Sequence, residues 1–263
     1  MNKLNNISLG ADPELFFINK GVLVSAIGKV GGSKEFPKKI DDDGAAVQED
    51  NVAVEFNIKP STTAQEFVKS LQKPLKYIEN LAKEHGVALA IQPSGFFPHE
   101  ELMHPLAQRF GCDPDFNAWT GNPNPRPETP PGKENLRTCG GHIHVSWDNP
   151  DPEQQIALIK AMDLFLGVPS VMMDADTMRR VLYGKAGAFR YKPYGVEYRT
   201  LSNFWIQSTN KMKWAFDHTQ QAIKFVNDGG KIDRSTKALI LKAINSSNQK
   251  AAEKLITNFA IPV

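Results

Sequence analysis

The sequence predicts an α+β domain, and three observations predict it. The first sixty residues alternate at the short period of strands and are broken by turn residues. Two later segments, Cys139–Val145 and Gly195–Arg199, carry polar groups at every second residue among apolar neighbours. Apolar residues then recur at helical spacing behind Thr63, from about Pro152 to Met173, and from Asn210 and Ser235 onward.

In chain order, Ile7–Ile18 and Gly21–Ile27 read as a hairpin through Asn19-Lys20-Gly21. Gly28–Gly44 is a Gly- and Lys-rich loop, and Val52–Ile58 is a strand that stops at Lys59-Pro60. Thr63 and Glu66 form a capping-box pattern ahead of Phe67, Leu71, Leu75, Ile78 and Leu81. That helix closes at His85-Gly86, and Pro74 is expected to kink it. Val87–Gln92 is a short strand. Residues 96–134 form a long irregular, Pro-rich stretch, expected to be an insertion or lid. The histidine strand, a helix, a basic Gly-containing segment (Arg179–Arg190) and the Glu197 strand follow, and residues 206–263 are C-terminal helices.

Bulk properties narrow the function classes. A chain of 263 residues can bury a large core as one domain, 1–263. A net charge of +2 gives no reason to expect nucleic acid or a membrane as the main partner. No stretch reads as a membrane span or a signal peptide, and Cys112 and Cys139 are too far apart for a metal-type pair. The expectation is a reduced, cytoplasmic protein, in the host cytoplasm if phage-encoded, with oligomeric state open.

The chemistry lies in four segments. Side chains two apart on a strand share a face, so Asp12 pairs with Glu14, His142 with His144, and Glu197 with Arg199, while Glu55 sits between Val54 and Phe56. If these strands adjoin, several carboxylates converge. Two such charges 4 Å apart repel by about 4 kcal/mol at an effective dielectric of 20. A hard divalent cation, Mg²⁺ or Mn²⁺, relieves that repulsion, and Arg199 beside it suits a phosphate or a carboxylate. Each piece also has an ordinary reading: an exposed strand Glu, a pair of surface or core histidines, a cross-strand salt bridge, and a solvated basic run over Arg179, Arg180, Lys185, Arg190 and Lys192. Only their joint parity on strands favours a site.

Gly10-Ala11-Asp12-Pro13-Glu14-Leu15-Phe16-Phe17 resembles the opening acidic strand of the glutamine synthetase and glutamate–cysteine ligase superfamily. Gly141-His142-Ile143-His144 is similar to its histidine strand, and Val196-Glu197-Tyr198-Arg199 to its closing Glu-x-Arg strand. Within it, Gly184–Arg190 and Gly195–Trp205 look like the phage-type COOH-NH2 ligase branch. The resemblance spans about Leu9 to Trp205. It implies a glutamine-synthetase-like domain, with a curved, largely antiparallel sheet carrying the site on one face and helices on the other. It implies metal ligands at Asp12, Glu14, Glu55, His142 and Glu197, and His144 near nucleotide phosphates. Arg199 is placed on the transferred phosphoryl or substrate carboxylate, and Arg190 and Lys185 on phosphate. Asp12 is one methylene shorter than the usual Glu; Gln48, Glu49 and Asp50 are candidates for a further acidic partner. No counterpart is found for the flap carboxylate at the ammonia site, so a larger amine is expected.

The implied function is an ATP-dependent carboxylate–amine ligase that uses two or more Mg²⁺ or Mn²⁺ ions and an acyl phosphate. Its partners are a small-molecule or peptide carboxylate and an amine. His99, His104, Cys112, Asp113, Asp115 and Trp119 are candidates for an amine-side lid. The alternatives are a phosphagen-type kinase of related architecture and a non-catalytic, virion-associated binding module.

Overall fold

The computed structural model describes residues 2–108 and 115–262, with Val181 described in its backbone alone. Strand β1 (Ser8–Asn19) is the spine of the molecule. It turns at Lys20 and Gly21, whose φ angles of 48° and 87° match the left-handed pair a two-residue hairpin needs, into β2 (Val22–Val24). β3 (Lys38–Lys39), β4 (Ala46–Asp50) and β5 (Ala53–Asn57) follow; β4 lies beyond the strands expected from the sequence.

Helix α1 (Ala64–Glu84) starts at the expected capping box. Thr63 Oγ1 accepts the Glu66 N–H at 3.2 Å, and Glu66 Oε2 accepts the Thr63 N–H at 3.2 Å. The helix runs unbroken through Pro74, which is buried in it. β6 (Ala88–Ala90) then pairs with β1. β7 (Ser94–Phe96) and β9 (Leu136–Thr138) make a separate two-stranded ribbon. Between them lie two 3₁₀ turns and β8 (Phe116–Asn117), so the stretch 96–134 is partly ordered by pairing; Cys112 and Asp113 lie outside the described residues.

β10 (Gly141–Ser146) leads to α2 (Pro152–Met162), a π-helical turn over Asp163–Gly167, and α3 (Val168–Met173). α2 also opens on a capping box, Asp151 with Gln154. Against expectation, Pro152–Met173 is long and apolar enough to cross a membrane, but 72% of that window is buried inside the fold. It is read as a core helix. A short α4 (Arg179–Leu182), β11 (Ala188–Lys192) and β12 (Gly195–Tyr198) complete the sheet. α5 (Thr209–Asn227), α6 (Arg234–Asn245) and α7 (Gln249–Asn258) end the chain.

The main sheet has the order β3-β4-β5-β1-β10-β12-β11-β8, with β2 and β6 also on β1, and every pairing is antiparallel. Its register separates two faces. Leu9, Ala11, Leu15, Val54, Phe56, Ile143, Val145, Val196, Tyr198 and Phe189 point to one side and join Phe67, Leu71, Leu158, Ile159 and Leu164 of the helices in one buried core. Residues of opposite parity face the other way, and those are the polar ones. The α+β expectation and the largely antiparallel sheet both hold.

A candidate metal and phosphate site on the sheet

Cross-strand pairing converts sequence parity into a row of ionisable groups. Asp12 sits opposite His142 and Glu14 opposite Glu55; His144 faces Glu197, which in turn faces Arg190. Gln48 lies across from Glu55 at the far side. Partners opposite each other in an antiparallel pair project to the same face with Cβ atoms roughly 5 Å apart, so four separated segments meet here.

The row resolves into two groups, each with ligand atoms within 4.8 Å of one another: Asp12, His144 and Glu197 in one, Glu14, Asp50 and Glu55 in the other. Asp50 is therefore the acidic partner among the three candidates ahead of Glu55. Glu49 instead accepts the backbone N–H groups of Gly28, Val30 and Gly31 at 2.9, 3.2 and 2.9 Å, and the Gln48 side chain hydrogen-bonds Glu55. Of the residues expected on metal, Asp12, Glu14, Glu55 and Glu197 fall into these groups. His142 stands beside them, its Nδ1 3.3 Å from Asp12 Oδ1, 3.8 Å from Glu197 Oε1 and 3.4 Å from Arg199. His144, expected on phosphate, completes the first group.

The basic residues divide in space. Glu197 is contacted by Arg199, by Arg190 at 3.2 Å and by Lys192 at 2.8 Å. Arg199 also reaches Asp115 at 3.4 Å, and Arg179 holds the Arg199 and Thr200 carbonyls at 3.3 and 3.0 Å. A cavity of about 500 Å³ is lined by the carboxylates of both groups together with His142, Arg190, Lys192 and Lys34, while His144 is not among its lining residues. A second cavity of about 400 Å³ is lined by Asp115, Arg126, Glu128 and Lys185. His142, Arg179 and Arg199 line both, so they stand where the two meet. Lys185 is thus in the second cavity and is not among the residues lining the first.

Charge states follow from burial and neighbours. Burial raises the Glu14 carboxyl to about 7, reinforced by the Asp50 charge and opposed by the Gly140 N–H, which Glu14 accepts at 2.6 Å. Burial likewise raises Asp50 and Glu55, the latter further through Asp12, Asp50 and Glu14. Burial also opposes ionisation of Asp12, yet His144 and His142 hold its carboxyl well below the ordinary range. Glu197, despite burial and Asp12, is lowered to about 2 by Arg199, His142 and Arg190. Burial and Arg199 depress His142 to about 4, whereas burial of His144 is outweighed by Asp12 and Glu197 together, which raise it.

In the group Glu14, Asp50 and Glu55, burial and the neighbouring carboxylates oppose full ionisation. In the other group, Asp12 Oδ1, His144 Nε2 and Glu197 Oε2 are buried without a well-formed hydrogen bond. Carboxylate oxygens with one imidazole nitrogen suit a hard or borderline divalent ion. The residues present fit a cation in both places.

Two further residues carry the frame. Asn203, fully buried, donates to the Glu14 carbonyl at 2.8 Å and the Gln92 carbonyl at 3.2 Å. Asp163, behind the sheet, accepts from Trp119 Nε1 at 2.6 Å, Tyr198 OH at 2.9 Å and Thr200 Oγ1 at 3.2 Å. It ties the 115–124 wall to the end of β12. Trp119 is therefore an anchor, not the tip of a moving lid. A lone acid inside the apolar run of residues 156–171 was the signal for it in the sequence.

Comparison with known proteins bears on the same segments. Residues 134–251 match the model of the family described as phage phiEco32-like COOH-NH2 ligase-type 2. The ligase-type match covers β10, β11 and β12, hence His142, His144, Lys185, Arg190, Glu197 and Arg199; Asp12, Glu14, Asp50 and Glu55 lie outside it. Among solved structures, "Crystal structure of novel glutamine synthase homolog" shares 12% identity at a TM-score of 0.43, covering 95% of this chain and 65% of that one. "Apo GmaS without ligand" also shares 12% identity at 0.43, covering 98% of this chain and 70% of the other. The chain thus spans roughly two thirds of the length of these structures. No curated protein matches.

Proposed function

We propose that this chain is an ATP- and Mg²⁺- or Mn²⁺-dependent carboxylate–amine ligase that forms an amide bond. The observation that carries the reading is the pair of acidic groups side by side on one sheet face, with Arg199 beside Glu197 where two cavities meet. The ligase-type match of residues 134–251 supports it independently of that geometry.

Asp12, His144 and Glu197 would hold one cation, and Glu14, Asp50 and Glu55 another. When bound, divalent ions neutralise phosphate oxygens and screen the clustered carboxylates. Arg190 and Lys192, on the Glu197 side of the first cavity, supply positive charge to a polyphosphate there. Arg199 is positioned to stabilise the phosphoryl group in transit and to orient a substrate carboxylate at the junction. In the reaction, a carboxylate oxygen attacks the γ-phosphorus, ADP leaves, and the acyl phosphate forms. The amine nitrogen then attacks the carbonyl carbon, phosphate leaves, and the nitrogen loses a proton. Two cavities give room for nucleotide on one side and acceptor on the other. Catalysis of this kind rests on positioning and fixed charge. Of the expected phosphate contacts, Lys185 lines the second cavity without lining the first.

The test is direct. Purified protein with ATP, Mg²⁺ and pools of amino acids, peptides and amines should yield ADP, inorganic phosphate and a new amide in equal amounts, by mass spectrometry and phosphate release. A stable phosphorylated product without amide would replace ligation with a phosphagen-type kinase. Absence of nucleotide and metal binding would favour a non-catalytic module.

A further inference from the structure

We propose that the second cavity binds the amine substrate, and that this amine also bears a carboxylate: an amino acid or a short peptide, not ammonia or a polyamine. The proposal rests on the ligase reading above and names the class of its acceptor.

The lining of this cavity is unevenly charged. Four cations, Arg126, Arg179, Lys185 and Arg199, stand against two carboxylates, Asp115 and Glu128. A wall with that excess repels a polycation and attracts an anion. The four cations are not equally engaged. Arg179 is buried on the Arg199 and Thr200 carbonyls, and Arg199 is buried against Glu197. The side chains of Arg126 and Lys185 make no hydrogen bond or ion pair among the described residues. Burial and the charge of Arg180 push the Lys185 ammonium below its ordinary value, and an anion beside it offsets both.

Both cations sit on stiff segments. The Lys185 carbonyl accepts Thr200 Oγ1 at 3.0 Å and the Ala188 N–H at 3.2 Å, and the Ala186 N–H donates to Asn245 Oδ1 at 2.8 Å. Gly184, just before, adopts φ +70°, and a Cβ there would lie 2.2 Å from Arg179 Nη1 and 2.7 Å from the Thr200 carbonyl oxygen. Glycine thus lets the Lys185 turn close against Arg179, where the two cavities meet. Arg126 stands between Pro125 and Pro127, whose fixed φ angles stiffen that wall. Stiff presentation lowers the entropy lost when a carboxylate is held. Asp115 supplies the opposite charge. Its Oδ2 lies 3.4 Å from Arg199 Nε, beside the junction, and its Oδ1 accepts Asn124 Nδ2 at 2.9 Å. A carboxylate has about four acceptor positions, so Asp115 can still take an ammonium. An amine held there faces the reacting carbonyl, and its own carboxylate is left to Lys185 and Arg126. Ammonia would use neither cation, and a polyamine would be repelled by both.

Binding reads this without turnover. Saturation-transfer NMR on the full chain takes two probe mixtures: the common amino acids and glycyl dipeptides in one, their C-terminal amides with putrescine and spermidine in the other. The first mixture should give signals and the second none. K185Q and R126Q should each weaken binding by roughly tenfold or more, the loss of one hydrogen bond to a charged group, with unchanged melting temperatures; K185R should restore it. Turnover then tells amine from acid. With ATP, Mg²⁺ and a pool of carboxylic acids, ¹⁵N-labelled amino acids should give a product whose fragmentation places the label in the new amide bond. Ammonium as the sole amine should give no amide.

Equal signals from the amides or the polyamines, amide formed from ammonium alone, or binding unchanged in both K185Q and R126Q would overturn the proposal. Label in the product but outside the new amide bond would make the amino acid the acid substrate and overturn its assignment as the amine. Binding as expected with no amide from any pool would overturn the ligase reading and leave the ligand class of the cavity standing, so the two failures are distinguishable.

Discussion

Asp12 and Glu14 stand two residues apart on one face of β1, yet they serve different groups: Asp12 joins His144 and Glu197, and Glu14 joins Asp50 and Glu55. Side chains two apart on a strand are separated by roughly 7 Å. One strand thus divides the sheet face into two groups of carboxylates, and the two can be altered separately.

Metal dependence should appear first as stability. Mg²⁺ or Mn²⁺ at about 100 times its dissociation constant should stabilise the fold by about 2.7 kcal/mol per site if the unfolded chain does not bind it. Chelation should reverse this in a thermal melt. E197Q and E55Q should each lose one of two bound Mn²⁺ in equilibrium dialysis. Loss of both in either variant would count against two separate positions.

Arg199 should resist conservative replacement. Its guanidinium is 5% exposed and touches Glu197 and Asp115 at once. A lysine has one ammonium and cannot span both. R199K should reduce amide formation at least 100-fold while Mn²⁺ affinity changes by less than tenfold. Near-normal turnover in R199K would remove Arg199 from the reaction centre.

Asp163 gives a pH signature outside the site. Burial raises its carboxyl from the ordinary 3.8 to about 7, against the donors Trp119, Tyr198, Gly187 and Thr200. Between these values the folded chain holds a proton that the unfolded chain has released, so stability falls as pH rises from about 4 to about 7 and then levels. At 1.36 kcal/mol per pH unit the upper bound is about 4 kcal/mol. The stability difference between wild type and D163N, from urea melts, should shrink across that window. A flat difference would mean that Asp163 is ionised throughout.

Gly141 should not tolerate alanine. A Cβ there would lie 2.3 Å from the Ser202 carbonyl oxygen and 2.5 Å from Trp205 Nε1, which donates to the Gly141 carbonyl. G141A should cost about 1–3 kcal/mol, the range for overpacking, in chemical denaturation. Because Gly141 opens β10, which carries His144 opposite Glu197, Mn²⁺ affinity should weaken as well.

What could be read in the sequence was what parity carries. Period-two alternation paired Asp12 with Glu14, His142 with His144 and Glu197 with Arg199, and the cross-strand register then brings Asp12, Glu14, Glu55, His142, His144 and Glu197 to the same sheet face. Capping at Thr63 and the turn at Lys20-Gly21 were equally local. β4 was hidden because three of its five residues are polar or acidic, and its pairing with β3 and β5 is tertiary. The contact of His144 with the Tyr194 hydroxyl joins residues fifty apart in sequence, and no single strand pattern carries such a contact. The break between α6 and α7 also went unread; Ser247 adopts φ 47° and Asn248 caps the last helix.

The capture of the Gly28–Gly31 loop by Glu49 has a bearing on fidelity of pairing. β4 carries Glu49 and Asp50 in succession, and a slip of one residue would exchange their faces. Three backbone N–H groups converging on Glu49 are lost in the slipped arrangement. The loop therefore works as a register lock, choosing which of two adjacent carboxylates enters the cation group, from outside that group.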